Sequence, residues 1–473
     1  MSDELPEGWC VAELPATCEI NPPKPRPDAL APDAEVTFVP MPAVDAEQGA
    51  ITRPINRRFS EVRKGFTAFC NEDVIIAKIT PCMENGKAAV ARRLTNGLGF
   101  GSTEFHVLRS NGAIVPEYAF YFIRQESFRR KAEREMTGSV GQKRVPASFL
   151  ESVEVPLPPL AEQRRIVAQV EALLARVNAA RQRLAKAPAL LKRFRQSVLA
   201  AACSGRLTAG WRGHEQEWRA APLREAVVAL DQGWSPKCEL EPSSSPAVWA
   251  VMKTTAIQPL DFWEHENKRL PDGLNPREDL QLKAGDLLIT RAGPRVRAGV
   301  ACFVESVRPR LMLCDKAYRF RVQERTVHPK FVAFALNAPA MLETLDSLKT
   351  GTSDSGTNLT QQKFLDLELD FPPLAEQHEI VRRVEALFKL ADAIEKRVAA
   401  ATARADKLTQ AILAKAFRGE LVPTEADLAR REGRDYEPAS VLLERIKAER
   451  SQTEATPKRG RQPRARPRAK RIN

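Results

Sequence analysis

Side chains able to hydrogen-bond in pairs gather at matching places in the two halves of this chain. Lys78, Thr80, Asn85 and Lys87 stand around Pro81, and Arg291, Arg295 and Arg297 surround Pro294 in the glycine-rich run ITRAGPRVRAG. A second set follows Gly138 and Gly351: Gln142, Lys143 and Arg144 in one half, Asn358, Gln361, Gln362 and Lys363 in the other. Ser102, Thr103 and Lys316 form a third. A guanidinium offers two parallel N–H donors and an amide sets one donor beside one acceptor, so both suit flat polar edges such as those of purines; ammonium and hydroxyl groups suit phosphate. Polar loops of this kind are more often plain solvated turns. Their recurrence at equivalent places favours a ligand, and which contact meets a base and which a phosphate stays open. Gly293 and Gly299 flank Arg297, so the backbone there is free to bend.

Catalytic chemistry finds little support. Glu84 and Asp315 are single acids without a paired carboxylate, and the five histidines, His106, His214, His265, His328 and His378, lie far apart in sequence. Base methylation needs an Asn/Asp-Pro-Pro-aromatic loop. The nearest strings, Asn21-Pro-Pro-Lys and Asp370-Phe-Pro-Pro, lack the aromatic. GxxxxGK[ST] and a glycine-rich cofactor loop behind a strand are also absent. Eight scattered cysteines form no CxxC pair, so they read as small buried side chains of a reducing compartment rather than as a zinc site.

The elements that must position these groups come in duplicate. PPLAEQRRIVAQVEALL begins at Pro158 and PPLAEQHEIVRRVEALF at Pro372, and the ungapped match continues to Leu207 and Leu421 with about half the residues identical. A period this long marks a tandem pair of domains, not a solenoid. Upstream, DVIIAK from Asp73 and DLLITR from Asp286 open equivalent strands, each followed by proline (Pro81, Pro294; then Pro116, Pro329) and glycine (Gly138, Gly351) at the same intervals. Tyr118, Phe120, Tyr121 and Phe122, like Phe331 and Phe334, read as core of a helix after Pro116 or Pro329 rather than as base-stacking platforms; Trp249 and Trp263 have no repeat partner.

Behind each Pro-Pro pair the apolar steps alternate four and three: Ile166, Val170, Leu173, Val177, Ala180, Leu184, Ala187, Leu191, Phe194, Val198, and again from Ile380 through Val384, Leu387, Ala391, Ile394, Val398, Ala401, Ala405 and Leu408 to Ile412. This is a heptad seam. A helix of roughly forty residues is about 60 Å long. Two such helices in one chain can satisfy each other as an antiparallel pair with a pseudo-twofold axis, holding the globular domains at opposite ends; zipping two chains together is the alternative. Pro188 should kink the first helix, where the second has Thr402, and Gly205 and Gly419 should stop them.

The chain has 473 residues, 43% hydrophobic and 28% charged, with a formal net charge of +13. Eight of those positive charges sit after Pro457 with no acid among them, so the body is only mildly basic and the tail reads as a disordered Pro/Arg segment. No run reaches the roughly 18 apolar residues of a membrane helix. MSDELPEGW has no apolar signal region, and the cytoplasm is the expected compartment.

PLPPLAEQ with IV and VEAL behind it, LPEGW near the start, and AFRGELVP followed by EPASVLLERI resemble the shared regions of type I restriction-modification specificity subunits, and the resemblance spans essentially the whole chain. It implies an α+β chain of two target-recognition domains separated by two long antiparallel helices, over 1–157, 158–207, 208–371, 372–421, an extension 422–455 with a short helix near Glu437 to Arg450, and the basic tail 456–473. It further implies that each domain reads one half of a split double-stranded DNA site, that the helices set the gap, and that methyltransferase (M) and restriction/translocase (R) subunits dock on the chain. S-adenosylmethionine, ATP and Mg would then sit on those partners, with no cofactor or catalysis here and no membrane contact. The three groups of paired hydrogen-bonding side chains become DNA-contact candidates on that reading. The rival from another class is a coiled-coil adaptor whose heads bind proteins.

Overall fold

The computed structural model describes residues 5–25, 30–139, 141–212, 217–351 and 356–455. The basic tail from 456 and His214 lie outside them. Two compact units emerge, one within 1–182 together with 402–473, the other within 183–401.

In the first unit, four strands order as Cys18–Ile20, Phe105–Ser110, Val74–Ala77 and Ala88–Val90, all antiparallel. A second sheet orders as Ile55–Arg58, Glu35–Val39, Leu98–Gly101 and Thr67–Cys70, its middle pair parallel. Val74–Ala77 is wholly buried, which is why its sequence is a short unbroken apolar run instead of an alternating one. Asp73, just before it, is buried and takes a forked bond from Arg109 on the neighbouring strand. A two-stranded clasp, Cys10–Glu13 against Glu154–Leu157, closes the head beside its helix.

The second unit repeats this plan: Val227–Gln232, Ala317–Val322, Leu287–Thr290 and Ala301–Phe303 in one sheet, and Asn267–Arg269, Ala250–Met252 and Leu311–Met312 in the other, again with a parallel pair. Arg321 bonds the buried Asp286 as Arg109 does Asp73, and Arg219–Pro222 against Glu368–Phe371 forms the clasp. The expected aromatic helices are present as Pro116–Ile123 and Pro329–Leu336, with Tyr118, Phe120, Phe122, Phe331 and Phe334 buried.

The PLAEQ motif is an anchor. In the first unit Gln163 donates to Ala113 O and Pro158 O and accepts from Val115 N, tying the aromatic helix to the start of the long one. Gln377 does the same for Thr326 O, Pro372 O and His328 N. The preceding glutamate is fully buried in both copies. Glu162 accepts from the Trp9 indole and from Glu425 N; Glu376 accepts from Trp218, Thr208 and Arg212. Burial pushes Glu162 above the ordinary carboxylate range. Burial also opposes ionisation of Glu376, but Arg212, Thr208 and Trp218 outweigh it and hold that carboxyl low.

Each unit contains an antiparallel stretch of helix pair. Arg165 meets Glu425 while Arg181 meets Asp406 and Thr409 in the first; Arg195 meets Asp392 and Glu395 in the second, where Arg383 reaches Leu207 O. The first-copy helix is broken, Leu160–Leu184 then Ala187–Cys203. Pro188 cannot donate to the carbonyl of Leu184, so the turn opens one residue later. Leu374–Phe417, with Thr402 there, is continuous. Gly205 and Gly419 adopt left-handed φ of 74° and 72° past the helix ends. The seam is less buried than the heptads predict: Ile166, Val170, Val198, Ile380 and Val384 are buried, but Ala180 is exposed and Ile394 and Leu408 are 38% and 51% exposed. Leu191, Ala391 and Ala405 are buried as well, so coverage along the seam is interrupted and not confined to its ends. The expected C-terminal helix runs Ala439–Ala455, and Leu442 and Ile446 cover Ala113. Among the described residues no helix is long and apolar enough to cross a membrane.

Candidate nucleic-acid interface

In each unit the fold collects the three sequence-distant groups at one junction. In the first, Lys78 N donates to Glu104 O, Val145 N to Lys78 O, and Thr80 N to Lys143 O, so the segments at 78–80, 102–104 and 142–145 run together. In the second, Arg291 N donates to Lys316 O and Leu359 N to Arg291 O, while Ala292–Gly293 pairs with Thr357–Asn358. Strand register makes the two junctions equivalent: Phe105 faces Ala77 and Ala317 faces Thr290. Glu104 therefore corresponds to Lys316, Lys78 to Arg291, and Arg144 to Asn358. Beneath both, a buried side chain satisfies the carbonyl that follows. His106 Nε2 donates to Val145 O with Asn21 donating to Nδ1, and the Tyr318 hydroxyl donates to Leu359 O. Burial lowers the His106 pKa, which suits this neutral, Nε2-protonated ring.

The candidates divide by what their side chains already do. Asn85, Thr103, Gln142 and Lys143 in the first unit and Lys316, Gln361 and Gln362 in the second are exposed, and no side-chain hydrogen bond within the described residues engages them. Lys78 is half-buried, its charge acting on Glu104 and His106. Arg291 keeps a mixed position, bonded to Asp315 O and Asn358 Oδ1 and lying 5.7 Å over the Tyr318 ring.

Others are spent inside the protein. Thr80 donates to Glu84, Lys87 to Met41 O, and Lys363 to Leu348 O. Arg144 forks onto both oxygens of Glu104 at 2.9 Å and holds that carboxyl below its ordinary range. Arg295 and Arg297, also DNA-contact candidates by sequence, are engaged within the protein too. Arg295 grips Asp346 at 2.7 Å, and Arg297 donates to Thr254 O and Ile257 O at 2.7 and 2.6 Å. Carbonyls and a carboxylate within reach engage the terminal guanidinium nitrogens, while Arg297 Nε is buried without a partner among the described residues; Gly293 and Gly299, with φ of 135° and 88°, supply the left-handed backbone that the loop needs.

Glu104 at the centre of the first junction escaped sequence reasoning, although it stands beside Thr103 in the chain and is the repeat equivalent of Lys316 once the strands are registered. The histidines are less isolated than their spacing suggested: the His328 and His378 rings lie 4.7 Å apart, and His265 stacks on Trp263.

The sequence that builds these two heads matches a family model for the type I restriction modification DNA specificity domain, over residues 6–187 and 264–401. The chain belongs to the type I restriction-modification specificity family. It is 32% identical over 498 residues to the specificity subunit of the Escherichia coli type I restriction enzyme EcoEI, covering 87% of this chain and 83% of that one. The EcoKI specificity subunit of Escherichia coli strain K12 is 32% identical over 398 residues, covering 80% and 81%. Among solved structures, the HsdS subunit of Thermoanaerobacter tengcongensis superposes with a TM-score of 0.60 at 23% identity, covering 88% of this chain and 98% of that one. A second chain, from a type I R-M system solved for its assembly and conformational transition, gives 0.68 at 23%, covering 89% and 100%. These last two likenesses are of fold.

Proposed function

We propose that this chain is the DNA-reading subunit of a type I restriction-modification complex, each junction contacting one half of a two-part site. The observation that carries it is the pairing of a repeated backbone frame with substituted polar groups: Lys78, Glu104 and Arg144 in one head, Arg291, Lys316 and Asn358 in the other. A frame that keeps its hydrogen bonds while exchanging acid for base is what reading two different half-sites requires. The helical segments would set the gap between halves, so linked binding gains affinity and spacing becomes geometric. Methyltransferase and restriction subunits would dock on the chain and bring S-adenosylmethionine, ATP and Mg, leaving this chain without chemistry of its own, in the cytoplasm.

A mobility-shift assay on duplex DNA with the methyltransferase partner tests the reading. Sequence-selective retention that survives moderate salt supports it. Retention that is sequence-blind and vanishes with salt reduces the interaction to charge, and points back to a protein-binding adaptor.

A further inference from the structure

The loop Pro294–Gly299 presents an apolar tip where its arginines were expected to read. Val296 is 85% exposed, yet the loop around it is held on every side. Arg295 is clamped on Asp346, its carbonyl accepts from Lys349 Nζ, and Arg297 is bound to two carbonyls. Ala298 is buried at 3% and Thr290 bonds Arg297 O. A valine on such a loop is pre-ordered, so placing it against a ligand costs little conformational entropy. The equivalent loop of the first head, Pro81–Gly86, does the opposite: Met83, which corresponds to Val296, is 3% exposed, and Asn85 faces out.

We propose that Val296 reads a thymine in the second half-site through its C5 methyl group. The inference rests on the DNA-recognition reading. Val296 rises from the loop that continues from Arg291, whose amide donates to Lys316 O, and the next residue, Arg297, bonds Thr254 O, which lines one cavity with Lys253, Lys268 and Lys316, a setting that suits a phosphate-lined groove. Within that groove the thymine methyl is the apolar feature of the base edges. An apolar tip among polar and cationic groups thus matches thymine, as the Asn85 amide of the first head matches adenine.

The test uses the full chain assembled with its methyltransferase partner. Methylation profiling gives the split motif, and binding is then measured on duplexes in which each thymine is replaced in turn by deoxyuridine, which lacks only the methyl. At one thymine of one half-site, deoxyuridine should weaken wild-type binding by about fourfold, the worth of one buried methyl-sized group. Val296→Ala should weaken binding to the thymine duplex comparably and become indifferent to deoxyuridine there. Leu240→Ala, removing a side chain of equal 85% exposure in the same unit, should behave as wild type. A second half-site without thymine on either strand overturns the proposal, as does Val296→Ala keeping the full deoxyuridine penalty. A uniform loss on all duplexes does so too, since it would mark a wedge or a protein contact. If the wild-type complex shows no selective binding at all, the recognition reading itself fails; selective wild-type binding with an unaltered Val296→Ala pattern removes this inference alone.

Discussion

The two heads hold the same junction with opposite charge at its centre. In the first, Glu104 occupies the strand position that Lys316 holds in the second, so one head carries a carboxylate acceptor where the other carries a cation. Around that exchange the backbone bonds persist, Val145 N to Lys78 O in one and Leu359 N to Arg291 O in the other. The comparison separates two jobs that one sequence performs: main-chain pairing and buried partners fix the frame, and the side chains at a few registered positions vary what the frame offers.

The largest difference between the two heads lies at their anchors, which look alike but differ in energetics. Glu376→Gln should cost about 3 kcal/mol, the low end for breaking a buried ion pair, because the Arg212 side chain keeps 26% of its surface. Glu162→Gln should cost less, since Trp9 and an amide, not a paired arginine, face that group. Thermal melts of the two variants check this, and pH sharpens it. Glu376 titrates low in the folded chain, so its contribution is present at neutral pH and lost as pH falls through its folded pKa; the Glu376→Gln penalty should shrink in acid. Glu162 titrates high, so the folded chain takes up its proton first and acid relieves rather than weakens that anchor. Equal penalties at both sites and every pH would contradict the distinction.

Next comes the division between spent and available arginines. Arg297→Ala removes its bonds to Thr254 O, which keeps the Ile257 amide as a donor, and to Ile257 O, and should lower stability by about 1 kcal/mol, with the recognised sequence unchanged. Arg291→Ala should instead relax one position of the second half-site by about 1–3 kcal/mol, with a smaller effect on melting. Competition binding on single-base variants distinguishes them, and an altered sequence preference in Arg297→Ala would overturn the assignment.

The first junction offers a milder probe. Arg144→Ala removes the fork that holds Glu104 ionised, so the Glu104 pKa should rise and discrimination in the first half-site become pH-dependent in the acid range, leaving the second half untouched. The smallest expected effect belongs to the tail outside the described residues: deletion from Thr456 should reduce sequence-blind affinity and its salt dependence while keeping sequence choice. A changed motif on deletion would give the tail a reading role.

Much of the frame was legible because periodicity and duplication are local signals. The apolar runs VIIA and LLIT became buried strands, Pro188 marked a helix break, and Gly205 and Gly419 marked helix ends. The three candidate groups also proved neighbours, which their spacing in sequence did not reveal and strand pairing does. What sequence could not show was which side chains the fold had already engaged. Arg295 and Arg297 looked like readers until Asp346, Thr254 and Ile257 appeared beside them from segments some forty to fifty residues away in the chain. Glu104 went unnoticed because its importance depends on strand register. The heptads overstated burial near Ile394 and Leu408, since periodicity reports a stripe and not what covers it.

The decisive measurement is methylation profiling of DNA from cells carrying the complex, wild type against Arg291→Ala. The account predicts a motif of two unlike halves at a fixed gap, with the substitution relaxing one half and leaving the other half and the gap intact. A single undivided motif, or a substitution that degrades both halves equally, would contradict it.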